Sequence, residues 1–353
     1  MADAYKKGRG AQFNPHNRFQ SRQTEFDPEQ DVPDDDFPEP RIRTQFIEDF
    51  PKQIISRPES PDIGFSASIN PYLGCEHGCI YCYARNSHEY WGFSAGLDFE
   101  SKILVKKNAP ELLEKAFQSK KYRPEVIHLS GNTDCYQPAE REFGLTRRIL
   151  EICLQHRHPI SILTKNALVL RDVDLLRQLA DQNLAFVLIS LTTLNEDLRL
   201  VMEPRTATAR RRLQIIETLT KAGVPVGVMT APIIPGLNDH EIPKLIEAAG
   251  GSGAIWAGYT VVRLNGAIGP LFEDWLRKTF PDRADKVLSQ IRECHGGSLE
   301  DSRFGTRMAG EGRFAEQIRQ LHRIACRKYL PEAGLPELDT SRFRRGNQLN
   351  LFD

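Results

Sequence analysis

Three cysteines fall within eight residues of this chain, at Cys75, Cys79 and Cys82, with the spacing C-x3-C-x2-C. Thiols placed so closely along the chain can converge on one metal centre. A structural zinc ion normally has four protein ligands, whereas a cubane cluster held by three thiolates leaves one iron open to another ligand. Because no second C-x2-C pair occurs, a zinc site would need a histidine such as His77 or His88. The spacing therefore favours an iron–sulfur cluster, and a zinc knuckle is the alternative.

The composition is that of a globular chain without export or membrane signals. Its 353 residues suffice for one large domain or two smaller ones, and its 47 basic residues equal its 47 acidic ones. No apolar run approaches the roughly 18–20 residues of a membrane span. The first residues, MADAYKKGRGAQF, lack the apolar stretch of a secretory signal. The seven cysteines, three of them clustered, indicate a metal site rather than disulfides. We therefore expect a cytoplasmic protein.

Residues 1–60 are rich in Pro, Arg, Gln and Asp and show little periodicity. A basic stretch, KKGRGAQFNPHNRFQSRQ, is followed by an acidic one broken by prolines, DPEQDVPDDDFPEP. This composition predicts an extended, partly disordered N-terminal arm that wraps the domain through Phe13, Phe19 and Phe46. The basic stretch is either a solvated tail or a contact for nucleic acid.

From residue 64 onward, strand patterns alternate with helix patterns. The predicted strands are 65–73, 126–130, 160–164, 185–191, 224–231 and 255–262, with a short extra piece at 103–106. The predicted helices between them are 79–91, 110–118, 139–156, 172–182, 207–222 and 239–250. Six strands each followed by a helix imply an α/β fold with a parallel sheet and right-handed crossovers. Since eight such units close a TIM barrel, six predict a partial, open (βα)6 barrel.

These patterns divide the chain into four regions. We assign 1–60 to the arm, 61–265 to the barrel core and 266–330 to a helical extension with helices at 271–280, 282–294 and 313–329. Residues 331–353 form a flexible tail. Active groups of such barrels lie at the carboxyl ends of the strands. Because the cysteine loop follows the first strand, it is expected at that end.

The cysteine spacing, with Tyr81 directly before the third cysteine, resembles the signature of the radical S-adenosylmethionine (SAM) superfamily. The resemblance implies a [4Fe–4S] cluster on Cys75, Cys79 and Cys82, SAM on its open iron, and Tyr81 beside the cofactor. It also implies reductive cleavage of SAM to a 5′-deoxyadenosyl radical that abstracts a hydrogen atom. A protein such as flavodoxin or ferredoxin would supply the electron. The hard chemistry belongs to the cofactor, and the protein binds, orients and excludes water.

The second main strand ends in Ser130-Gly-Asn-Thr-Asp134. This stretch sits where radical SAM proteins place a Gly-Gly-Glu-like loop over the ammonium of the methionyl group. It departs from that pattern because it has no Glu, so Ser130, Asn132 and Asp134 are the candidates for the ammonium. The alternative is a plain Asn/Asp/Gly turn before a helix.

The next strand ends carry further candidates. Lys165 is either an anion ligand or a solvated strand end. Ser190 resembles the ribose contacts of the superfamily, and Arg205, near Glu203, could pair with the methionyl carboxylate as a fork-like donor. Pro232 lies in a loop rich in Pro and Gly whose backbone could face the adenine, or which forms only a turn with an Asn/Asp helix cap.

The segments TDCYQPAE, LTKNALVLRD, SLTT with EPRTA, and APIIPGLND together resemble the spore photoproduct lyase-like group, often labelled DNA repair photolyase-related. The resemblance spans residues 60–265 and implies a lesion or modified base in DNA as the substrate. RNA or protein is the alternative. Spore photoproduct lyase uses a further cysteine as hydrogen-atom donor, which makes Cys135 the candidate catalytic residue. The alternative is a small buried core group.

The end of the tail contains Gln348, Leu349, Leu351 and Phe352, and this QLNLF segment resembles the short peptide that bacterial proteins insert into the DNA sliding clamp. The clamp is thus a predicted partner, and the basic SRFRRGN just before it favours DNA. The alternatives are docking of the tail on its own domain and, for the whole chain, a non-enzymatic metal-knuckle adaptor attached to the clamp.

Overall fold

The computed structural model describes residues 5–19 and 42–346. Its strands are β1 (Gln45–Asp49), β2 (Ile55–Ser56), β3 (Ala67–Ile69), β4 (Tyr72–Leu73), β5 (Lys102–Lys106), β6 (Ile127–Leu129), β7 (Ile160–Thr164), β8 (Ala185–Ser190), β9 (Val226–Met229) and β10 (Trp256–Gly258). Its α-helices are α1 (Arg85–His88), α2 (Leu97–Ser101), α3 (Ala109–Gln118), α4 (Glu140–Phe143), α5 (Leu145–Gln155), α6 (Val173–Ala180), α7 (Glu196–Met202), α8 (Ala209–Lys221), α9 (Ile242–Gly251), α10 (Ile268–Thr279), α11 (Ala284–Cys294) and α12 (Gly312–Tyr329). No helix in these described ranges is long and apolar enough to cross a membrane.

The main sheet has the order β10-β9-β8-β7-β6-β3-β2. Its six strands from β3 to β10 pair in parallel in chain order, and β2 adds antiparallel to β3. Within the described ranges β2 and β10 lie at opposite edges, so the sheet is open. This confirms the predicted partial (βα)6 architecture, in which all six parallel strands end at one edge.

The two faces of the sheet differ in chemistry because successive side chains alternate. One face carries aliphatic residues such as Ile127, Ile162 and Val228, which form the main core with helices α3, α5, α6, α8, α9 and α12. Burying each such side chain stabilises the fold by about 1.5–3 kcal/mol. The opposite face carries small and polar residues, among them Ser68 and His128, and partly exposed ones further along. That face has room for a ligand.

Several predicted boundaries differ from the structure. The first strand, predicted over 65–73, is divided, because Tyr72 and Leu73 turn away and pair antiparallel with β5 in a separate sheet of order β1-β5-β4. The first helix, predicted over 79–91, is reduced to α1 and a 3₁₀ turn (Glu89–Trp91) that ends at Gly92 in the left-handed conformation. Within the arm predicted to be extended, two short segments form strands β1 and β2.

Residues 5–19, part of the arm predicted to wrap the domain, are packed against it. Ala11 has no exposed surface, and Arg9, Gln12 and Asn17 are buried. Phe13, as predicted, contacts the core, whereas Phe19 is 55% exposed. Phe46, in β1, is partly exposed and contacts Phe143 edge-on. Residues 20–41 lie outside the described ranges.

The three helices predicted after residue 266 are confirmed as α10, α11 and α12. Helices α10 and α11 form a second apolar cluster with Cys79 and Ile80 of the cysteine loop. The indole of Trp275 donates to the carbonyl of Val201 at 2.9 Å, which ties α10 to α7. The helical extension therefore supports the cysteine loop from outside the sheet.

The segment 331–346 crosses the amino end of the sheet, and this part of the predicted flexible tail has a defined path. The amide of Asp339 donates to the carbonyl of Asn183 at 3.0 Å, just before β8. Phe343 packs against Phe117 and Tyr122 of the main core. The end opposite the cysteine loop is thereby closed by apolar contacts.

Candidate active site

The cysteine loop is buried at the carboxyl end of the sheet. Cys75 and Cys79 are only 6% and 5% exposed, and Cys82 is half-buried. The amide of Cys75 donates to the carbonyl of Phe99 at 2.8 Å. Burial raises the pKa of all three thiols. Because a desolvated thiolate is costly, these groups are thiols unless a metal offsets their charge.

A buried ion pair that the sequence analysis missed fixes the back of this loop. The guanidinium of Arg85 donates to the carbonyl of Cys79 at 3.0 and 2.9 Å and to the carboxylate of Glu100 at 2.6 Å. Both side chains are fully buried. The backbone of the cysteine loop is therefore held by the guanidinium of Arg85 rather than by a helix or a strand.

The N-terminal segment lies directly on the cysteine loop. Glu100 accepts hydrogen bonds from the amides of Gly10 and Ala11 at 3.2 and 2.8 Å. A Cβ at Gly10 would lie 1.8 Å from the carbonyl oxygen of Gly78, so only glycine fits at this contact. Gly78 itself has φ +66°, a conformation that favours glycine. Residues 9–11 thus cover the loop on its outer side.

Gln137, also missed, holds the loop around the first cysteine. Its amide donates to the carbonyl of Gly74 at 3.0 Å, and its carbonyl oxygen accepts from the amide of Glu76 at 3.1 Å. Gln137 therefore bonds to the backbone on both sides of Cys75. Gln137 lies five residues after Asn132, in the loop that follows a strand. Nothing in the sequence there distinguishes it from an ordinary turn residue.

The predicted residues after β6 all lie near the cysteine loop. Ser130 has φ +74°, unusual for a residue with a side chain, and its Oγ accepts from the amide of Cys135 at 2.8 Å. The amide of Asn132 donates to the side chain of Asn70 at 2.7 Å, and its side chain donates to Ser87 at 3.0 Å. Asn132 is thus linked to the helix that follows the third cysteine.

Asp134 connects two strand ends to the cysteine loop. Its carboxylate accepts from the hydroxyl of Thr164 at 2.8 Å and from the amide of Lys165 at 2.9 Å, and it faces His77 Nδ1 at 3.4 Å. Burial alone would raise the pKa of Asp134, but His77 and these hydrogen bonds hold it below its usual value. The group is a carboxylate whose partners are already inside the protein.

The largest charged network lies on the other side of the loop and centres on Glu203. Glu203, with no exposed surface, accepts a hydrogen bond from the hydroxyl of Tyr81 and another from Thr192 at 2.7 Å. Arg212 donates to it, and the ammonium of Lys165 lies 3.3 Å from it. Burial on its own would raise the pKa of Glu203, yet Arg212 and Lys165 hold it far below its usual range.

Lys165 and Ser190 extend this network toward the open face of the sheet. The ammonium of Lys165 donates to the hydroxyl of Ser190 and lies 5.7 Å from the centre of the Tyr81 ring. The structure thus brings together Tyr81, Lys165, Ser190 and Glu203. Lys165, for which the sequence left two interpretations open, is thus a cation that faces the ring of Tyr81.

The remaining predicted residues are placed less centrally. Arg205 donates its backbone amide to the carbonyl of His77 at 3.3 Å, and the charge of its guanidinium helps lower the pKa of Arg9, after burial. Pro232 lies in the loop after β9, where its carbonyl oxygen accepts a hydrogen bond from the side-chain amide of Asn238 at 3.1 Å. The side chain of Asn238 also donates to the carbonyl of Thr192 at 2.8 Å and so braces the loop. Asn238 occupies the N-cap position of a 3₁₀ turn (Asp239–Glu241) without a side-chain capping bond.

Cys135 lies in the loop after β6, at the mouth of the predicted barrel, with its side chain turned into the core. Its side chain has no exposed surface and packs in the main core, where burial raises its pKa. The short Asp-Cys-Tyr turn folds inward because Ser130 and Thr146 bind its backbone. The donor role stays a prediction, but the thiol is not at the surface of the site. Cys153 and Cys294 have no exposed surface either, and Cys326 is half-buried.

The two histidines near the cysteines differ in their contacts, because His77 has polar partners whereas neither ring nitrogen of His88 makes a hydrogen bond. His77 bonds through Nε2 to Asn166 at 3.1 Å and faces Asp134 through Nδ1. His88 packs against Phe93 and Phe99. In residues 5–19 and 42–346, no three His, Cys, Asp or Glu side chains are close enough to hold a single metal ion.

Residues 69–249, about half of the chain, match the Radical SAM superfamily. The chain therefore belongs to the radical SAM superfamily. An uncharacterised protein of Mycobacterium tuberculosis is 32% identical over 240 residues, which are 67% of this chain and 69% of the relative. An uncharacterised protein of Methanocaldococcus jannaschii is 33% identical over 173 residues, 49% of this chain and 62% of the relative.

Solved structures of spore photoproduct lyase share the fold. A cysteine-to-serine mutant aligns with a TM-score of 0.61 and 14% identity, covering 81% of this chain and 80% of the other. A double mutant with bound AdoMet and dinucleoside spore photoproduct aligns with a TM-score of 0.60. The predicted fold is thereby confirmed.

Radical SAM enzymes use a [4Fe–4S] cluster and SAM, and the residues present fit both groups. Three thiols lie in one largely buried loop at the carboxyl end of the sheet, and this donor set suits a cluster that leaves one iron open. Tyr81, Lys165 and Ser190 lie together beside the loop, where the carboxylate and hydroxyl groups of SAM need partners. When bound, the cluster and SAM supply the one-electron chemistry that generates a 5′-deoxyadenosyl radical.

Proposed function

We propose that this radical SAM enzyme acts on a nucleic acid, with a lesion or modified base in DNA as its target. The observation that carries the proposal is the architecture shared with spore photoproduct lyase, whose solved complexes include a dinucleoside spore photoproduct. The shared part extends over 81% of this chain. It therefore includes the open face of the sheet, where a substrate would meet the cofactor.

A cavity of about 330 Å³ beside the site suits such a substrate. It is bounded by Phe65, Asn70, Lys106 and the loop residues Gly131 and Asn132. Phe65 stacks on His128 at 4.6 Å between ring centres, so it presents a fixed aromatic surface. An aromatic ring and a cation on one wall match the base and the phosphate of a nucleotide.

In this proposal the chain's residues bind and orient. Cys75, Cys79 and Cys82 hold the cluster, and Tyr81, Ser190 and Lys165 position SAM beside it. The loop that is expected to cover the ammonium of the methionyl group contains Ser130, Asn132 and Asp134. Because the partners of Asp134 and Ser130 are internal, we assign them the shape of the loop, and assign the direct contact with SAM to the half-buried Asn132. Arg205 would pair with the methionyl carboxylate, and the loop of Pro232 would face the adenine.

The test is reductive SAM cleavage after anaerobic reconstitution with iron and sulfide. We expect 5′-deoxyadenosine from the wild type and none from Cys79→Ala, because a ligand to the cluster is removed. The matched control is Cys153→Ala, a buried cysteine on α5, which is expected to keep the activity. Equal 5′-deoxyadenosine from Cys79→Ala and the wild type would refute the assignment.

The substrate class is tested by adding irradiated DNA, RNA or protein to the same assay. Stimulation of turnover by irradiated DNA alone supports a lesion as the target. Stimulation by RNA or protein would favour the alternative substrate of that class. Zinc instead of iron in protein purified without air, together with no SAM cleavage, would favour the adaptor.

Two partners belong to this proposal. A flavodoxin- or ferredoxin-type protein would supply the electron. The sliding clamp would bind Gln348, Leu349, Leu351 and Phe352, which lie outside the described residues. A clamp pull-down should be lost when Leu351→Ala and Phe352→Ala are combined, because their side chains would fill the apolar pocket. Retention of the double variant on the clamp would argue against this contact.

A further inference from the structure

The cavity of about 330 Å³ beside the site is lined by cations and hydrogen-bond donors, but by no carboxylate of the described residues. Its cations are Arg57 and Lys106, and its neutral donors include Ser68 and Asn70. Carboxylates are the usual internal partners of arginine and lysine, so their absence from this lining leaves the cavity electropositive. An anion is therefore the ligand that the lining favours.

Asn70 presents only donor hydrogens to the cavity. Its side-chain oxygen accepts from the backbone amides of Asn132 and Thr133 at 2.7 and 3.3 Å, which fixes the orientation of the side chain. Its side-chain nitrogen makes no hydrogen bond with any described residue, although Asn70 is only 8% exposed. A largely buried donor without a protein partner needs an acceptor in the cavity, which a ligand can supply.

Ser68, two residues before Asn70, is a second donor on the same wall. It is only 5% exposed, and its hydroxyl makes no hydrogen bond within residues 5–19 and 42–346. Gly131 lies against this wall. A Cβ at that position would be 2.7 Å from the Cβ of Ser68 and 3.1 Å from the ring of Phe65, so only glycine fits. The wall is thus formed by Ser68, Asn70 and the edge of an aromatic ring.

Lys106 brings a positive charge next to these donors. Its backbone amide donates to the carbonyl of Pro71 at 3.0 Å, which places Lys106 beside Asn70. Its half-buried side chain lines the cavity and makes no hydrogen bond or ion pair in the described part of the chain. Burial lowers the pKa of Lys106, and the charge of Asp49, its neighbour across the β1–β5 pair, partly offsets this effect.

The other cation of the cavity is already paired. The guanidinium of Arg57 donates twice to the carboxylate of Glu125, at 2.9 and 2.6 Å. Among the described residues that line the cavity, Lys106 is therefore the cation that remains free to bind a ligand. Its position beside two unpartnered donors makes the three groups one candidate site for an oxyanion.

We propose that Ser68, Asn70 and Lys106 form a phosphate subsite for the substrate strand, with the ring of Phe65 stacked against an adjoining base. The inference rests on the proposed nucleic-acid substrate and names the group by which the chain holds it. A phosphodiester carries one negative charge and several acceptor oxygens, so it matches a cation flanked by neutral donors. Asn132 also lines the cavity, so the bound strand would lie next to the loop that is expected to cover SAM.

The experiment measures binding of a fluorescently labelled, single-stranded thymidine oligonucleotide to the reconstituted protein over a series of salt concentrations. We expect Lys106→Gln to bind about tenfold more weakly, as for loss of a charged hydrogen bond. The slope of log K against log salt should become shallower by about 0.7, because one phosphate contact is lost. Lys107→Gln is the matched control. Lys107 is exposed and pairs with Glu48, so this variant should bind as the wild type does.

Asn70→Asp tests the neutral donor without removing the bonds that hold the loop. Its carboxylate can still accept from the amides of Asn132 and Thr133, but it faces the phosphate with a negative charge in place of a donor. Affinity should therefore fall by about tenfold or more. Iron content and thermal stability of each variant show whether cluster and fold are retained. If Lys106→Gln is unstable, Asn70→Asp remains as an independent test.

Wild-type affinity in folded Lys106→Gln or in folded Asn70→Asp would overturn the subsite while leaving the nucleic-acid proposal intact. Weaker binding by Lys106→Gln with an unchanged salt slope would also overturn it, because no phosphate contact would have been removed. A wild type that binds neither this oligonucleotide nor irradiated DNA would overturn both proposals.

Discussion

The two ends of the same parallel sheet are built by different means. At the carboxyl end, charged and polar side chains meet in buried networks, and Glu203 alone receives bonds from Tyr81, Thr192 and Arg212. At the amino end, aromatic rings pack on one another. Phe343, for instance, contacts Phe117 and other rings of the core. The strands are shared, but the side chains that close the two ends are not.

The difference shows where the fold places its stability and where it places its chemistry. The stabilisation from apolar contacts is roughly proportional to the buried area. Substitutions at the amino end should therefore lower the free energy of unfolding in proportion to the apolar area that they remove. A buried charge left without its partner costs several kcal/mol. The carboxyl end should therefore respond sharply, although its charges add little net stability when all are paired. Four predictions test this comparison, from the largest expected effect to the smallest.

The largest effect is expected for Glu203→Gln. The substitution leaves Arg212 and Lys165 without their carboxylate inside the protein, so the free energy of unfolding should fall by about 3–5 kcal/mol. Urea denaturation measures the loss. The matched control is Glu217→Gln, which removes an exposed pair with Lys221 and should cost less than about 0.5 kcal/mol. Equal losses for the two variants would show that the carboxyl end is not a charge-dependent site.

Much of the fold could be predicted, because strands and helices have characteristic spacings of apolar residues along the chain. Much of the site could not, because it is formed by side chains that are distant in sequence and meet only in the folded protein. The six parallel strands and their order followed from the alternation of strand and helix patterns. The division of the first strand did not, because Tyr72 and Leu73 have the same pattern whichever sheet they join. The cysteines were evident from spacing, whereas the ion pair of Arg85 with Glu100 joins two polar residues 15 positions apart.

Cys135 is a second residue whose contacts could not be predicted from the sequence. It lies in a strand-end loop, and the sequence placed it at the mouth of the barrel. Whether a loop side chain points outward depends on hydrogen bonds such as those from Ser130 and Thr146. Those contacts are made by residues that could equally have served as cofactor ligands. Sequence position predicted the loop, and it left open whether the thiol faces the substrate or the core.

The second prediction concerns Phe343→Ala at the amino end. Removing a half-buried ring from the aromatic cluster should lower the free energy of unfolding by about 2 kcal/mol. SAM cleavage should not change, because the ring lies at the opposite end of the sheet from the cysteine loop. Leu200→Ala, at an exposed position of α7, is the control and should alter stability little. A loss of SAM cleavage in folded Phe343→Ala would show that the two ends are coupled.

The third prediction concerns pH and the amino end. His158 stacks on Phe117 at 4.3 Å, and burial lowers its pKa to about 3. The unfolded chain, with a histidine pKa of about 6.5, binds the proton more readily. The stabilisation is therefore complete above about pH 6.5 and is lost as the pH falls toward the folded value, at about 1.4 kcal/mol per pH unit.

His158→Gln should reduce this pH dependence by the contribution of one proton, because one group that takes up a proton on unfolding is gone. The slope that remains comes from His88, His128 and His322, whose pKa burial lowers to about 4. Urea denaturation between pH 7.5 and 5.5 would measure it, a range chosen to include about one pH unit of the expected loss. His240→Gln, at an exposed histidine, is the control and should keep the wild-type slope. A variant of His158 with the wild-type slope would place the acid sensitivity elsewhere.

The smallest effect is expected for Cys135→Ala. Its thiol is enclosed by the core, so the substitution should cost about 1 kcal/mol, close to the cost of Cys153→Ala on the helix side. Because an enclosed thiol cannot reach a substrate at the rim, both variants should give the wild-type product. If only Cys135→Ala changed the product, Cys135 would be the hydrogen-atom donor predicted from the sequence. The turn that buries it would then have to open during catalysis, and the carboxyl end would be adjustable in its backbone as well as in its charges.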